Sequence, residues 1–442
     1  MSATSKLVSF VRQLDPDTLP AAMLDQAVRC VLDLVGVAIA GTSTPMAQIS
    51  ARFAQEQFAP GHATVIGSGK SLTVTGATWV NGAYASALDM DDGHRMAMGH
   101  PGASVIPAAL AIAERAGASG KEFLAALVAG YEVAVRASTA RVPWYKDKMY
   151  STGIWGVFGA VAAAGKLLKF DAATLQSALG TAGSHGAFPP GGAQANHAMV
   201  KEGIAWSGMT GVSAALLAQQ KFLGPPDFLD YSERWDTSAL VAGLGDLGES
   251  AILKTYFKPY AVCRWSHPAV DGVLELKHRH QLRSEEIETI EVETFREVTR
   301  LANDQPSNTI AAQFSIQFAL AVALLYDRIG PAEVSDAHIR DPAILSLARK
   351  VQVSVDDTLD RQFPAKTMAR VTICTRRGDL RTTIEYPRGN PENPLSHAEL
   401  EAKFELLTQD LISAERSRKL RTAILDLPEA TNVRALTRLL RY

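Results

Sequence analysis

Apolar residues recur through the first 250 positions at helical rather than strand spacing. Leu24, Ala27, Val28, Val31, Leu32 and Val35 form a stripe with a period near 3.6 residues, which predicts an amphipathic helix. Leu7, Val8, Phe10, Val11 and Leu14 predict another at the N-terminus. Segments 76–88, 105–115, 120–141, 153–168, 175–186 and 203–221 are rich in small, apolar residues. Small residues let helix backbones approach closely, so this half reads as a compact multi-helix body. It shows no regular repeat of roughly 20–50 residues, which argues against a solenoid.

After about residue 265 the pattern changes. Residues 287–295 (IETIEVETF) alternate apolar and polar, as a half-buried strand does. Residues 351–355 and 369–375 alternate similarly, and 379–386 follow a turn at Gly378, which predicts a hairpin. Helices are expected at 270–280 and 314–326. Gly389-Asn390-Pro391 and Pro394 then punctuate the chain, and Ser396 with Glu399 makes a capping box for a helical tail. The fold class is therefore mainly α. A large all-α domain takes 1–265 with 396–442, and a smaller α+β domain with an antiparallel sheet takes 266–395.

Lys plus Arg number 44 and Asp plus Glu 46, so the net charge is −2. That balance gives no footprint for nucleic acid or an anionic membrane surface. No apolar run reaches the roughly 18 residues of a membrane span, and the N-terminus lacks the pattern of a secretory signal. Cys30, Cys263 and Cys374 are too scattered for a disulfide framework or for zinc or iron–sulfur ligation. A reducing, cytoplasmic setting is expected. Two short patterns read as loops. Gly243 to Gly248 matches a dinucleotide fingerprint without the required βαβ context, and 67–71 ends like a phosphate loop but lacks its first glycine.

The densest polar cluster is Asp89, Asp91, Asp92 and His94, followed by His100-Pro101-Gly102. Three carboxylates and two histidines between apolar helices are costly to bury without partners. Three readings fit the residues alone: a solvated loop whose Asp side chains cap the next helix, a hard-metal site, or acid–base chemistry. Tyr150, Lys201 and Lys258 stand later as lone polar residues at segment boundaries.

These segments together resemble the MmgE/PrpD family along essentially the whole chain. The resemblance runs through LDMDDGHRMAMGHPGASVIPAALAIAE (88–114), YSTGIWGVFGAVAAAGKLL (150–168) and MVKEGIAWSGMTGVSAALLAQQKFLGP (199–225). It continues through FKPYAVCRWSHPAVDGVLEL (257–276), QFSIQFALA (313–321) and GNPENPLSHAELEAKF (389–404). The family includes 2-methylcitrate dehydratases, cis-aconitate decarboxylases and iminodisuccinate epimerases. The resemblance implies a homodimer, a helical domain with an α+β lid, a site in the cleft between them, and a small anionic di- or tricarboxylate as substrate. It implies no cofactor and no metal.

What joins those activities is a carbon that loses a proton or a carboxylate beside a carboxyl group. Such chemistry needs cations where charge accumulates and a base near the hydrogen. The resemblance implies catalytic roles for Asp89, His100 and Lys201, and substrate binding by Lys258 with His267, and by Asp92 and His94. Departures from the family pattern point further. Tyr150, Gly203 and Cys263 stand where dehydratases or decarboxylases carry His, and Gly93 where Thr is common. Fewer acids remain to protonate a leaving group. Tyr150 and Lys201 would instead suit two-base epimerisation of a substituted dicarboxylate. A dehydratase or decarboxylase using His100 is the alternative, and a non-catalytic ligand-binding relative is another.

Overall fold

The computed structural model describes residues 1–141, 151–186, 198–231 and 233–442. Its helices follow the apolar stripes. The first half contains α1 (Ala3–Gln13), α2 (Ala21–Gly41), α3 (Pro45–Gln57), α4 (Val74–Ser86) and α5 (Pro101–Ala116). Then come α6 (Gly120–Thr139), α7 (Thr152–Leu167), α8 (Ala172–His185) and α9 (Ile204–Gln219). Side chains of Ser2, Thr44, Thr73 and Asp171 accept from first-turn N–H groups and so set several of the starts.

Small residues place these helices close together. Every residue of α7 except Lys166 is buried. A Cβ on Gly159 would stand 2.6 Å from the Gly130 carbonyl oxygen, and one on Gly156 would stand 2.6 Å from Ser104 Oγ. The crossings of α7 with α6 and α5 therefore leave no room for larger side chains.

Two short ribbons interrupt the helices. β1 (Pro60–Thr64) pairs with β2 (Ser71–Leu72), and β3 (Gly93–His94) pairs with β4 (Thr255–Tyr256), both antiparallel. The glycines at 67–69 form the turn of the first ribbon. Residues 243–248 follow α10 (Thr237–Val241) as a loop, in which the Gly248 N–H donates to Asp246 Oδ1 at 3.1 Å.

The later part holds α11 (His267–His280), β5 (Ile287–Thr294), α12 (Thr309–Gln313), α13 (Ile316–Tyr326) and α14 (Pro342–Ala348). These are followed by β6 (Val351–Val355), α15 (Asp357–Asp360), β7 (Ala369–Thr375) and β8 (Gly378–Ile384). The four strands lie in the order β6-β5-β7-β8. The expected antiparallel sheet is in fact mixed: β6 runs parallel to β5, with Val351 beside Ile290. The intervening helices supply the long crossover that a parallel pair requires, and alternation along a strand carries no direction.

Two apolar clusters fill the molecule. One gathers the first-half helices with Leu400, Phe404, Leu420 and Leu436 of α16 (His397–Thr408), α17 (Ala414–Leu425) and α18 (Arg434–Leu440). The other centres on the sheet, α11 and α13, and also takes in Val37 and Ala40 of α2, Leu88, Met90 and Leu407. Helix α16 opens on the Ser396–Glu399 capping box and packs on α2, returning the tail to the helical body. The segment after α4 thus runs along the seam between the two clusters. Among the described residues no helix is long and apolar enough to cross a membrane.

Candidate active site

The seam segment is not solvated. Asp89, Asp91, Asp92, His94 and His100 are all buried, the most exposed being His100 at 7%. Burial on this scale requires partners, and they arrive from distant parts of the chain. Lys258 Nζ donates to Asp89 Oδ2 at 2.6 Å; on Oδ1 converge Lys201 Nζ at 3.7 Å and His100 Nε2 at 3.8 Å. The other ring nitrogen of His100 lies 3.2 Å from Asp91 Oδ2. Burial alone would raise the Asp89 carboxyl, but Lys258, Lys201 and His100 hold it well below the usual range.

His100 and Lys201 are shifted in opposite directions. Burial alone would depress the imidazole, yet Asp91 and Asp89 lift it to about 9, so it is an imidazolium at neutral pH. Burial, reinforced by Lys258, pushes the Lys201 ammonium below its ordinary value against the pull of Asp89. Lys201 Nζ donates to Gln313 Oε1 at 2.5 Å and stands 5.0 Å from the Phe314 ring centroid.

Two helix starts frame the site. His100 is the N-cap of α5 but gives no side-chain cap. Asp92 serves instead, its Oδ1 accepting from the Gly102 N–H at 2.9 Å while the Tyr131 hydroxyl donates to Oδ2. At α7, Glu202 accepts from the Thr152 N–H and hydroxyl at 2.9 and 2.8 Å, and Thr152 Oγ1 accepts from the His100 N–H at 3.1 Å. Both carboxylates sit where a helix N-terminus favours negative charge.

A cavity opens between these elements, lined by Asp89, His100, Lys201 and Glu202 from the helical side and by Cys263 and Arg264 facing them. Arg95 and Arg300 also reach its wall. Five basic side chains and two carboxylates line it, and Asp91 and Glu392 pair with His100 and Arg95 from outside the lining. Backbone strain concentrates here as well. Asp89, Met98, Lys201 and Glu202 line the cavity with φ of 50°, 51°, 43° and 55°. The other left-handed non-glycine residues, such as Gln281 and Asp327, sit at helix C-termini, where that conformation is ordinary.

The predicted residues therefore separate. Asp89, His100 and Lys201 come together at the cavity. Lys258 is wholly buried behind Asp89 and does not line the wall, because its charge is already matched. His267 is buried too, with Nε2 3.1 Å from the Val262 carbonyl oxygen, and burial with Arg264 nearby keeps it neutral. Asp92 is spent on the α5 cap. Burial holds its carboxyl up at about 7, the Tyr131 hydrogen bond opposing. His94 Nδ1 accepts from the Ala97 N–H at 3.3 Å, and burial pulls the ring down to about 3. Neither Asp92 nor His94 lines the cavity. Tyr150 lies outside the described residues. Among those residues no three His, Cys, Asp or Glu side chains are placed to share a metal ion.

Residues 5–241 match the MmgE/PrpD N-terminal domain and residues 260–429 match the MmgE/PrpD C-terminal domain. The chain belongs to the MmgE/PrpD family. A cis-aconitate decarboxylase-like protein, oryM, of Aspergillus oryzae is 23% identical over 99% of this chain and 97% of its own length. Human cis-aconitate decarboxylase is 24% identical over all of this chain and 95% of its own.

Arg95, Arg264, Arg300, Glu202 and Gln313 carry no signal of their own in the sequence, and Asp91 stands in the polar cluster without a role. All but Arg300 lie inside the family-like segments, so an Arg or Gln embedded in such a segment was the available signal. Which of them faces a cavity depends on helix starts and turns that no spacing encodes.

Proposed function

We propose that this chain is an acid–base enzyme for a carbon beside a carboxylate of a small di- or tricarboxylate, and that it epimerises a substituted dicarboxylic acid of iminodisuccinate type. The opposed shifts of Lys201 and His100 carry this reading. Epimerisation needs a base and a protonated acid, and burial lowers Lys201 while Asp91 and Asp89 raise His100. The Lys201 amine takes the α-proton, and the charge left on the carbon spreads into the adjacent carboxylate within the cationic wall. The His100 imidazolium returns a proton from the other face. Proton exchange with solvent then resets both groups. Tyr150, the partner first expected for Lys201, stays a second candidate acid.

A lyase reading is supported by the same imidazolium, which can protonate a departing hydroxide or a decarboxylated carbon, and by the names of the two relatives. Against it, Cys263 replaces a family histidine, and burial together with Asp89 pushes its thiol up to about 12, weak as a donor. The two domains are taken as 1–265 with 396–442 and 266–395, the second serving as a lid. A cytoplasmic homodimer belongs to the same proposal.

Turnover of a single enantiomer of iminodisuccinate in deuterated water tests the reaction. The expected result is deuterium at the α-carbon with no alkene absorbance and no carbon dioxide. Alkene or carbon dioxide without α-exchange overturns epimerisation in favour of the lyase. Lys201→Ala should lose about 10³-fold in kcat/KM with little change in melting temperature. If melting alone changes, the non-catalytic reading stands.

A further inference from the structure

We propose that Arg264 is the specificity-determining residue for the second carboxylate of the ligand, the one remote from the reacting carbon. This rests on the proposed function insofar as it concerns the same cavity. Lys258, expected to bind a carboxylate, is occupied by Asp89. Arg95 is likewise paired, its guanidinium donating to both carboxylate oxygens of Glu392 at 3.1 and 2.7 Å.

Arg264 differs. It lines the cavity, is only 6% exposed, and forms no ion pair with an acidic side chain among the described residues. Its guanidinium lies over the Tyr256 ring, 4.6 Å from the centroid, and Nη2 donates to Asn390 Oδ1. Its Nη1 is buried with no acceptor, and so is the amide nitrogen of Asn390 beside it. Two neighbouring buried donors, one of them charged, lack an acceptor. A carboxylate supplies the acceptor and the charge that the guanidinium lacks, while Asn390, outside the cavity lining, positions it through Nη2.

The guanidinium is also held in place in advance. Asn390 sits in a tight turn whose Gly389 has φ 93° and whose backbone meets the strand beside Lys258. The Phe257 N–H donates to the Gly389 carbonyl at 3.1 Å, and a Cβ on Gly389 would stand 1.8 Å from the Phe257 oxygen. Tyr256 below and Asn390 beside leave Arg264 little rotamer freedom to lose on binding. Lys201 and His100 are thereby left for the reacting carbon, with Arg264 fixing the far end of the substrate.

Calorimetric titration with succinate and with succinamate, which replaces one carboxylate by a neutral amide of similar shape, tests this. The full chain should bind succinate at least roughly 30-fold more tightly than succinamate. Arg264→Gln should reduce that preference to within about 3-fold, with Arg264→Lys and Asn390→Ala in between. Circular dichroism checks that each variant is folded, and the two milder changes cover a collapse of Arg264→Gln. A preference unchanged in Arg264→Gln or Asn390→Ala, or no preference in the parent chain, overturns the assignment. Arg264-dependent preference without α-deuterium exchange would retain Arg264 as the binding residue and overturn the proposed reaction instead. Exchange with no Arg264 dependence does the reverse.

Discussion

At the scale of single residues, the candidate site is a question of which charge is matched by which. Asp89 is shared by Lys258, Lys201 and His100, and Asp91 sits against the far side of the same imidazole. Because the folded value of His100, about 9, is above its ordinary 6.5, the pairing contributes stability in full below about pH 6.5. That contribution is lost as pH rises through about 9. Activity that needs the imidazolium should fall over the same limb. Asp91→Asn removes one of the two anions, and the alkaline limb of the pH–rate profile should move down by about 1–3 units. An unmoved limb would show that Asp91 does not set the charge of His100. Asp89, His100 and Lys201 were legible as residue types in apolar surroundings. Asp91 was visible in the cluster but had no assigned partner, since the ring it meets is fixed by the start of α5.

At the scale of elements, local rules worked where the decisive partner lies within a turn. Ser396 Oγ accepts from the Glu399 N–H at 3.3 Å, and Glu399 Oε2 accepts from the Ser396 N–H at 2.8 Å, as the spacing predicts. Ser396→Ala should cost about 1 kcal/mol in urea unfolding while leaving ligand binding unchanged, because the cap is exposed and outside the cavity. A much larger loss would mean that α16 depends on this cap rather than on its packing. The rules fell short where the partner is remote. Asp92 caps α5 from nine residues before the helix start, and Glu202 caps α7 across 50 positions. The direction of β6 likewise depended on a crossover rather than on alternation along the strand.

At the scale of the whole molecule, α16 ties the clusters together. Lys403 Nζ donates to Asp33 Oδ1 of α2 at 2.6 Å and to the Met90 carbonyl at 2.9 Å, directly beneath the site segment. Burial raises the Asp33 carboxyl and Lys403 opposes it. Lys403→Met leaves that carboxylate buried without its cation, and should cost about 3–5 kcal/mol at pH 8. The cost should shrink towards pH 5. A buried acid with a raised folded value is less penalised when protonated, so the penalty grows as pH rises above its unfolded value. A pH-independent loss in urea denaturation would point to packing alone. The sequence by itself determined the helical body, the later strands, the returning tail and the residue types of the candidate site. Each of these is encoded in side-chain periodicity or in short segments. Only the tertiary structure decided that Lys258, His267, Asp92 and His94 stand behind the wall while Arg264 stands in it. Lys258 meets Asp89 across 169 positions and Asp92 meets Tyr131 across 39, and linear spacing holds no record of which charge is already matched.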